Sequence, residues 1–109
     1  MNSHASTEHD DHGVALRLSS QRSLLGNVPS GLRCASVEYR GTEIACRFIF
    51  DGEPDEVAKA MLGCDAAEII ADYPEPYTIS EEYLAIPSPA DMPYLRHIVF
   101  MRHEGEVGA

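Results

Sequence analysis

The chain has 109 residues and carries 18 Asp and Glu against 8 Lys and Arg, a formal net charge of −10, which suits one small acidic domain. That balance excludes a nonspecific DNA or RNA binder, which needs cations to neutralise phosphate, and a chain held by charge on anionic lipid. With 44% apolar residues it can bury a core, yet a domain of this size has little interior to give to a deep catalytic cleft.

Cys34, Cys46 and Cys64 are odd in number and have no CxxC spacing, which argues against a disulfide framework and a zinc finger. Reduced thiols suit the cytoplasm. Residues 1–12 lack the basic and apolar regions of a secretory signal, and no stretch reaches the roughly 18 apolar residues of a membrane span. A cytoplasmic location is therefore expected.

Residues 1–13 hold no large apolar side chain beyond Met1 and are read as a disordered tail, leaving residues 14–109 as a single α+β domain. Over residues 14–25, Val14, Leu18, Gln21 and Leu25 recur at helical spacing with Leu24 alongside, and Gly26-Asn27 before Pro29 is a helix stop. Residues 32–40 and 43–51 then alternate apolar and polar around Gly41-Thr42, a two-residue hairpin turn with glycine in the first central position. Placing Arg40 opposite Glu43 sets Tyr39 against Ile44, Val37 against Cys46 and Ala35 against Phe48. One face is then wholly apolar, while Ser36, Glu38 and Arg47 share the other.

Pro54, with Asp55 and Glu56 behind it, opens a second helix at a position that suits both the proline ring and the helix dipole. That helix runs to about Tyr73, where Pro74 and Pro76 end it. Residues 77–86 read as a third strand, 87–93 as a loop and 94–104 as a fourth strand. Ile98-Val99-Phe100-Met101 is apolar on both faces, the pattern of a central strand. The order is α-β-β-α-β-β. The simplest packing is a two-layer domain, an antiparallel four-stranded sheet with both helices on one face.

The charge is concentrated. Residues 51–82 hold ten acids, Asp51, Glu53, Asp55, Glu56, Asp65, Glu68, Asp72, Glu75, Glu81 and Glu82, against Lys59 alone, a local charge of −9. Asp65, Glu68 and Asp72 stand at i, i+3 and i+7 on one helical face, where like charges repel. A solvated face that keeps an acidic protein soluble has this pattern. So does a surface that steers a basic partner into contact.

Other chemistry is weaker. His4, His9 and His12 with Asp10 and Asp11 resemble a metal tract, but a mobile tail cannot hold a coordination geometry, and no metal or cofactor is assigned. His97 and His103 share a strand face but, at about 3.3 Å per residue, stand about 20 Å apart; His103 suits a surface pair with Glu104. Cys46 points into the apolar hairpin face and Cys64 lies among carboxylates, leaving only Cys34 on the open face of the sheet. No GxSxG, HExxH, P-loop or GxGxxG motif is present.

The strings Ser23-Leu24-Leu25-Gly26-Asn27-Val28, Leu32-Arg33, Ala35-Ser36-Val37-Glu38, Phe48-Ile49-Phe50-Asp51-Gly52-Glu53 and Glu68-Ile69-Ile70-Ala71-Asp72-Tyr73-Pro74 resemble a group of small acidic bacterial proteins. These are the immunity proteins of polymorphic toxin and contact-dependent growth inhibition systems. The similarity covers residues 23–104. It implies a non-enzymatic cytoplasmic inhibitor, acting as a monomer, that binds the C-terminal domain of a cognate toxin; no catalytic residue carries over. The charge pattern fits a basic, nuclease-type toxin, with Asp65, Glu68, Asp72, Glu75, Glu81 and Glu82 as contacts and Tyr73 and Tyr77 as aromatic anchors. The alternatives are a homodimeric regulatory or structural module and, behind it, a small Cys- or carboxylate-dependent enzyme.

Overall fold

The computed structural model describes residues 2–24 and 28–104, with side chains from residue 13 onward. Its elements are α1 (Asn2–Leu24), β1 (Leu32–Arg40), β2 (Glu43–Phe50), α2 (Glu56–Ala71), β3 (Thr78–Ala85) and β4 (His97–Met101), in the order read from the sequence. The backbone of α1 reaches back into the stretch expected to be a tail, whose side chains to residue 12 lie outside the described residues, as do Leu25, Gly26 and Asn27 of the helix stop.

The hairpin forms in the register derived above. Arg40 faces Glu43, Tyr39 faces Ile44, Val37 faces Cys46 and Ala35 faces Phe48. Gly41 takes a φ of 64°, the left-handed region that a tight hairpin turn needs and that costs glycine nothing. Val37, Ile44 and Phe48 are buried against Leu16 of α1 and Leu62 and Ile69 of α2, which form one apolar layer between sheet and helices.

The sheet order is β3-β2-β1-β4, and the expectation of an antiparallel sheet needs correction. β2 pairs with β1 antiparallel and with β3 parallel, so the sheet is mixed. The reason is the connection: the segment between β2 and β3 carries α2, long enough to return the chain to the start of β2, so that β3 runs alongside it in the same direction. α2 also begins later than expected. Asp55 caps it, accepting the Ala58 N–H at 2.8 Å, and Pro54 stands just ahead of the cap.

Two further expectations are overturned. The fourth strand is an edge strand only five residues long and pairs with β1 alone. Its apolar run reflects packing beside α1, with Val99 and Phe100 half-buried against the core, and not burial on both sides. In α1 the stripe of Val14 and Leu18 faces outward, 47% and 57% exposed, while Leu16, Ser20, Ser23 and Leu24 face in. Serines on the inner face admit a close approach. Gly13 does the same where α1 crosses β4, for a Cβ there would stand 3.3 Å from the His97 ring.

The second face of the sheet is covered too. β3 and β4 both run in the direction of β2 from opposite edges, so the chain between them must return across the sheet, and the helices already occupy the other face. Residues 86–96 make that return as a strap. Arg33 donates to the Ile86 and Ala90 carbonyls at 2.6 and 3.1 Å, Arg47 donates to the Pro93 carbonyl, and the Leu95 N–H donates to Ser36 Oγ at 2.8 Å. Beneath it Cys34, Ser36 and Ile49 have no exposed surface. Cys34 is therefore not on an open face.

Phe48, stacked on Tyr83 at 5.5 Å and buried, is the centre of the apolar layer. Phe48→Ala should cost about 3–5 kcal/mol, read as a fall in the urea midpoint. Gly63 inside α2 has an ordinary helical φ, and a Cβ there would meet only Glu81 Oε1 at 3.6 Å. Gly63→Ala should therefore stabilise the chain by about 0.5–1 kcal/mol, seen as a higher melting temperature.

Candidate protein-binding surface

The structure separates the acids that the sequence groups together. Asp65 is 1% exposed and lies on the inner side of α2, where its charge bears on the Tyr83 hydroxyl. Asp72, one residue past the helix, takes Ser19 Oγ at 2.7 Å and Arg22 at 2.8 Å, and so ties α2 to α1. Glu68 and Asp72 are both exposed, and of the trio Glu68 is the outward acid that makes no ion pair among the described residues. The supposed ridge divides because positions 65 and 72 share the helix face of Leu62 and Ile69, while 68 points away from it.

β3 and the turn before it hold the others. Glu82 stands directly across from Arg47 in the parallel register and pairs with it at 2.7 Å, keeping about half its side chain exposed. Glu81 accepts the Tyr83 hydroxyl on the helix side of the sheet. Glu75 is exposed in the turn and, like Glu68, makes no ion pair among the described residues. Lys59, the single base of the acidic segment, sits over the Tyr83 ring, 5.8 Å from its centroid.

Tyr73 and Tyr77 are half-buried and belong to a trio with Tyr39. The ring centroids stand 6.1 Å (Tyr39–Tyr73), 6.3 Å (Tyr39–Tyr77) and 5.2 Å (Tyr73–Tyr77) apart, and the Tyr39 and Tyr73 hydroxyls share a 2.7 Å hydrogen bond. Burial, reinforced by that bond, pushes the Tyr39 hydroxyl pKa well above its ordinary value. Tyr39 was legible only as an apolar-face residue of the hairpin. The register that puts it beside the turn, where the chain re-enters the sheet at β3, is what adds it to the other two.

A second ionic cluster was not anticipated. Arg33 is 2% exposed, and its guanidinium grips Glu104 at 2.6 and 2.9 Å as well as the two strap carbonyls. Arg102 joins Glu104 at 3.1 Å to Asp51 at 2.9 Å, and Asp51 in turn accepts the Ser88 N–H at 2.8 Å. Glu104 thus serves Arg33 and Arg102, not the expected His103. Both arginines hold a strand end against the strap, so the cluster reads as structural.

Cysteine and histidine chemistry finds no support. Burial raises the Cys34 thiol and pushes Cys46 up to about 12, and Cys64 is exposed on α2. Desolvation lowers His97 beneath α1. Among the described residues no three of His, Cys, Asp and Glu gather as a metal site requires, and no helix is long and apolar enough to cross a membrane.

Glu53, Asp55 and Glu56 are exposed at the start of α2, and Glu68, Glu75, Glu81 and Glu82 make acidic surface along its end, the following turn and β3. The model of the MafI2 immunity protein family matches residues 14–104. The chain belongs to that family. The match takes in every strand of the described residues, α2 and α1 from Val14 onward, including the Arg33–Glu104 tie at its far end. No curated protein matches the chain.

For this MafI2 immunity protein the ionic cluster sets the acid limit. Hydrogen bonding from Arg33, then the nearby Arg33 and Arg102 charges, holds Glu104 down at about 2 from an ordinary 4.5, and the Ser88 N–H and Arg102 hold Asp51 low. Groups whose pKa is depressed on folding stabilise the ionised protein, and that stabilisation is complete above the unfolded value. The urea midpoint should hold steady above about pH 4.5 and fall progressively toward about pH 2, and Glu104→Gln should flatten part of that fall.

Proposed function

We propose that this immunity protein neutralises a cognate toxin domain of basic, nuclease type by binding it, without catalysis, through the acidic surface formed by Glu68, Glu75, Glu81 and Glu82 with Tyr73 and Tyr77 at its edge. Family membership carries the reading that the partner is a toxin. The local charge of −9 over residues 51–82, ten acids against Lys59, supports the basic character of that partner. A nuclease presents cations where it holds phosphate, and an acidic surface meets them with long-range attraction that speeds encounter and disfavours wrong partners.

Asp65 is left out of the contact set because it is enclosed, and Asp72 because its carboxylate already holds Ser19 and Arg22 of α1. The half-buried tyrosine trio supplies rigid aromatic area beside the charges, the residue type that carries disproportionate interface energy. As an inhibitor that meets its toxin in the producing cell, the chain would act in the cytoplasm as a monomer.

The exposed acids give a clean test. Glu68→Gln with Glu75→Gln removes two charges that make no ion pair among the described residues, so the melting temperature should stay within about a degree or two of wild type. Surface plasmon resonance against the cognate toxin domain should show association slowed several-fold. The difference should shrink as salt rises past about 0.15 M, where the Debye length is about 8 Å. Association that is unchanged in the double variant and indifferent to salt would move the contact away from this surface.

A further inference from the structure

The sheet ends in two edges, and they differ. β4 is five residues long, and its pairing with β1 breaks register between Ala35 and Ser36, both of which are ways in which proteins blunt an edge against unwanted strand pairing. β3 is eight residues long and pairs with β2 without a register shift from Thr78 to Ala85.

Its backbone has a definite outward set. The N–H groups of Thr78 and Ile86 donate inward to Thr42 and Phe50 of the β2 side, at 3.0 and 2.8 Å. Because strand backbone groups alternate sides with a period of two, the even-numbered residues face β2, and Ile79, Glu81, Tyr83 and Ala85 aim their N–H and C=O away from the sheet. Among the described residues no strand pairs with that side of β3, and an added strand is a partner that matches these groups.

The side chains on this edge select what can be added. Glu81 and Glu82 are exposed at its middle, Glu81 beside α2 and Glu82 on the strap side. A second copy of β3 would bring glutamates against glutamates, and like charges facing one another across strands are destabilising. A strand bearing lysine or arginine gains from the same geometry.

We infer that β3 is the recognition edge of this protein, and that an extended basic segment of the toxin, about seven residues long, adds to it as a fifth strand hydrogen-bonded to Ile79, Glu81, Tyr83 and Ala85. This rests on the toxin-binding reading above and deepens it by assigning the mode of contact. Backbone pairing supplies affinity, and the flanking glutamates supply selectivity.

The test uses the full chain and its cognate toxin domain, with amide hydrogen exchange resolved to single residues. On complex formation the amides of Ile79, Glu81, Tyr83 and Ala85 should slow at least tenfold, while those of Ser80, Glu82 and Leu84, already bonded to β2, change little. Glu81→Pro deletes one outward N–H, which an edge strand tolerates, and should weaken binding at least tenfold relative to Glu81→Ala, which removes only the side chain. If Glu81→Pro fails to fold, the exchange pattern of the wild-type complex decides alone. A tight complex with unprotected β3 amides overturns the added strand while leaving the toxin reading intact. No complex with the wild-type chain overturns both. Protection that appears without toxin and grows with protein concentration identifies a second copy as the occupant and overturns the inference.

Discussion

Arg33 is the point on which the second half of the fold depends. It sits beside the break in register at the start of β1, between Leu32 and Cys34, and from there its guanidinium reaches Glu104 past the end of β4 and the carbonyls of Ile86 and Ala90 in the strap. A buried guanidinium is tolerable only when its donors are used and its charge is met, and Glu104 supplies both. The strap exists because β3 and β4 run in one direction from opposite edges. Without an anchor under it, the long return of residues 86–96 would be a loop without elements of its own, and Cys34, Ser36 and Ile49 would lie open to water.

The two faces of the hairpin are therefore buried by different means. One is apolar and packs against helices, stabilised by area removed from water. The other mixes small, apolar and ionic groups and is closed by hydrogen bonds from a connecting segment. The acid limit follows from the second, since its strongest links include carboxylates that protonation would break.

The acidic surface is shaped by the same economy. Asp72 joins α2 to α1 through Ser19 and Arg22, Asp65 is enclosed, and Glu82 is partly matched by Arg47. Beyond Glu53, Asp55 and Glu56 at the start of α2, the outward charge of the acidic segment falls on the end of α2, the following turn and the β3 edge, where the longer regular strand of the two edges also lies. Charge and the longer sheet edge of the described residues thus coincide, while the opposite edge is short and irregular in register.

The sequence by itself determined the element order, the hairpin with its glycine turn and its register from Ala35 opposite Phe48 to Arg40 opposite Glu43, the −9 segment and the kinship to immunity proteins. These are local: a period-two pattern beside a two-residue turn leaves one register that gathers Tyr39, Ile44, Val37, Cys46, Ala35 and Phe48 on one face. Tertiary structure alone decided the rest. Whether β3 ran with or against β2 depended on how α2 returned the chain, which no local pattern encodes. Val14 and Leu18 of α1 advertised a buried stripe, yet the helix packs by Leu16 and its serines because close approach to α2 and β4 outweighs the area of two side chains. Asp65 and Glu68 stand three residues apart and read alike on a helix, but one is enclosed and the other faces solvent, a distinction made by the sheet and helix packed against α2 and not by the residues themselves.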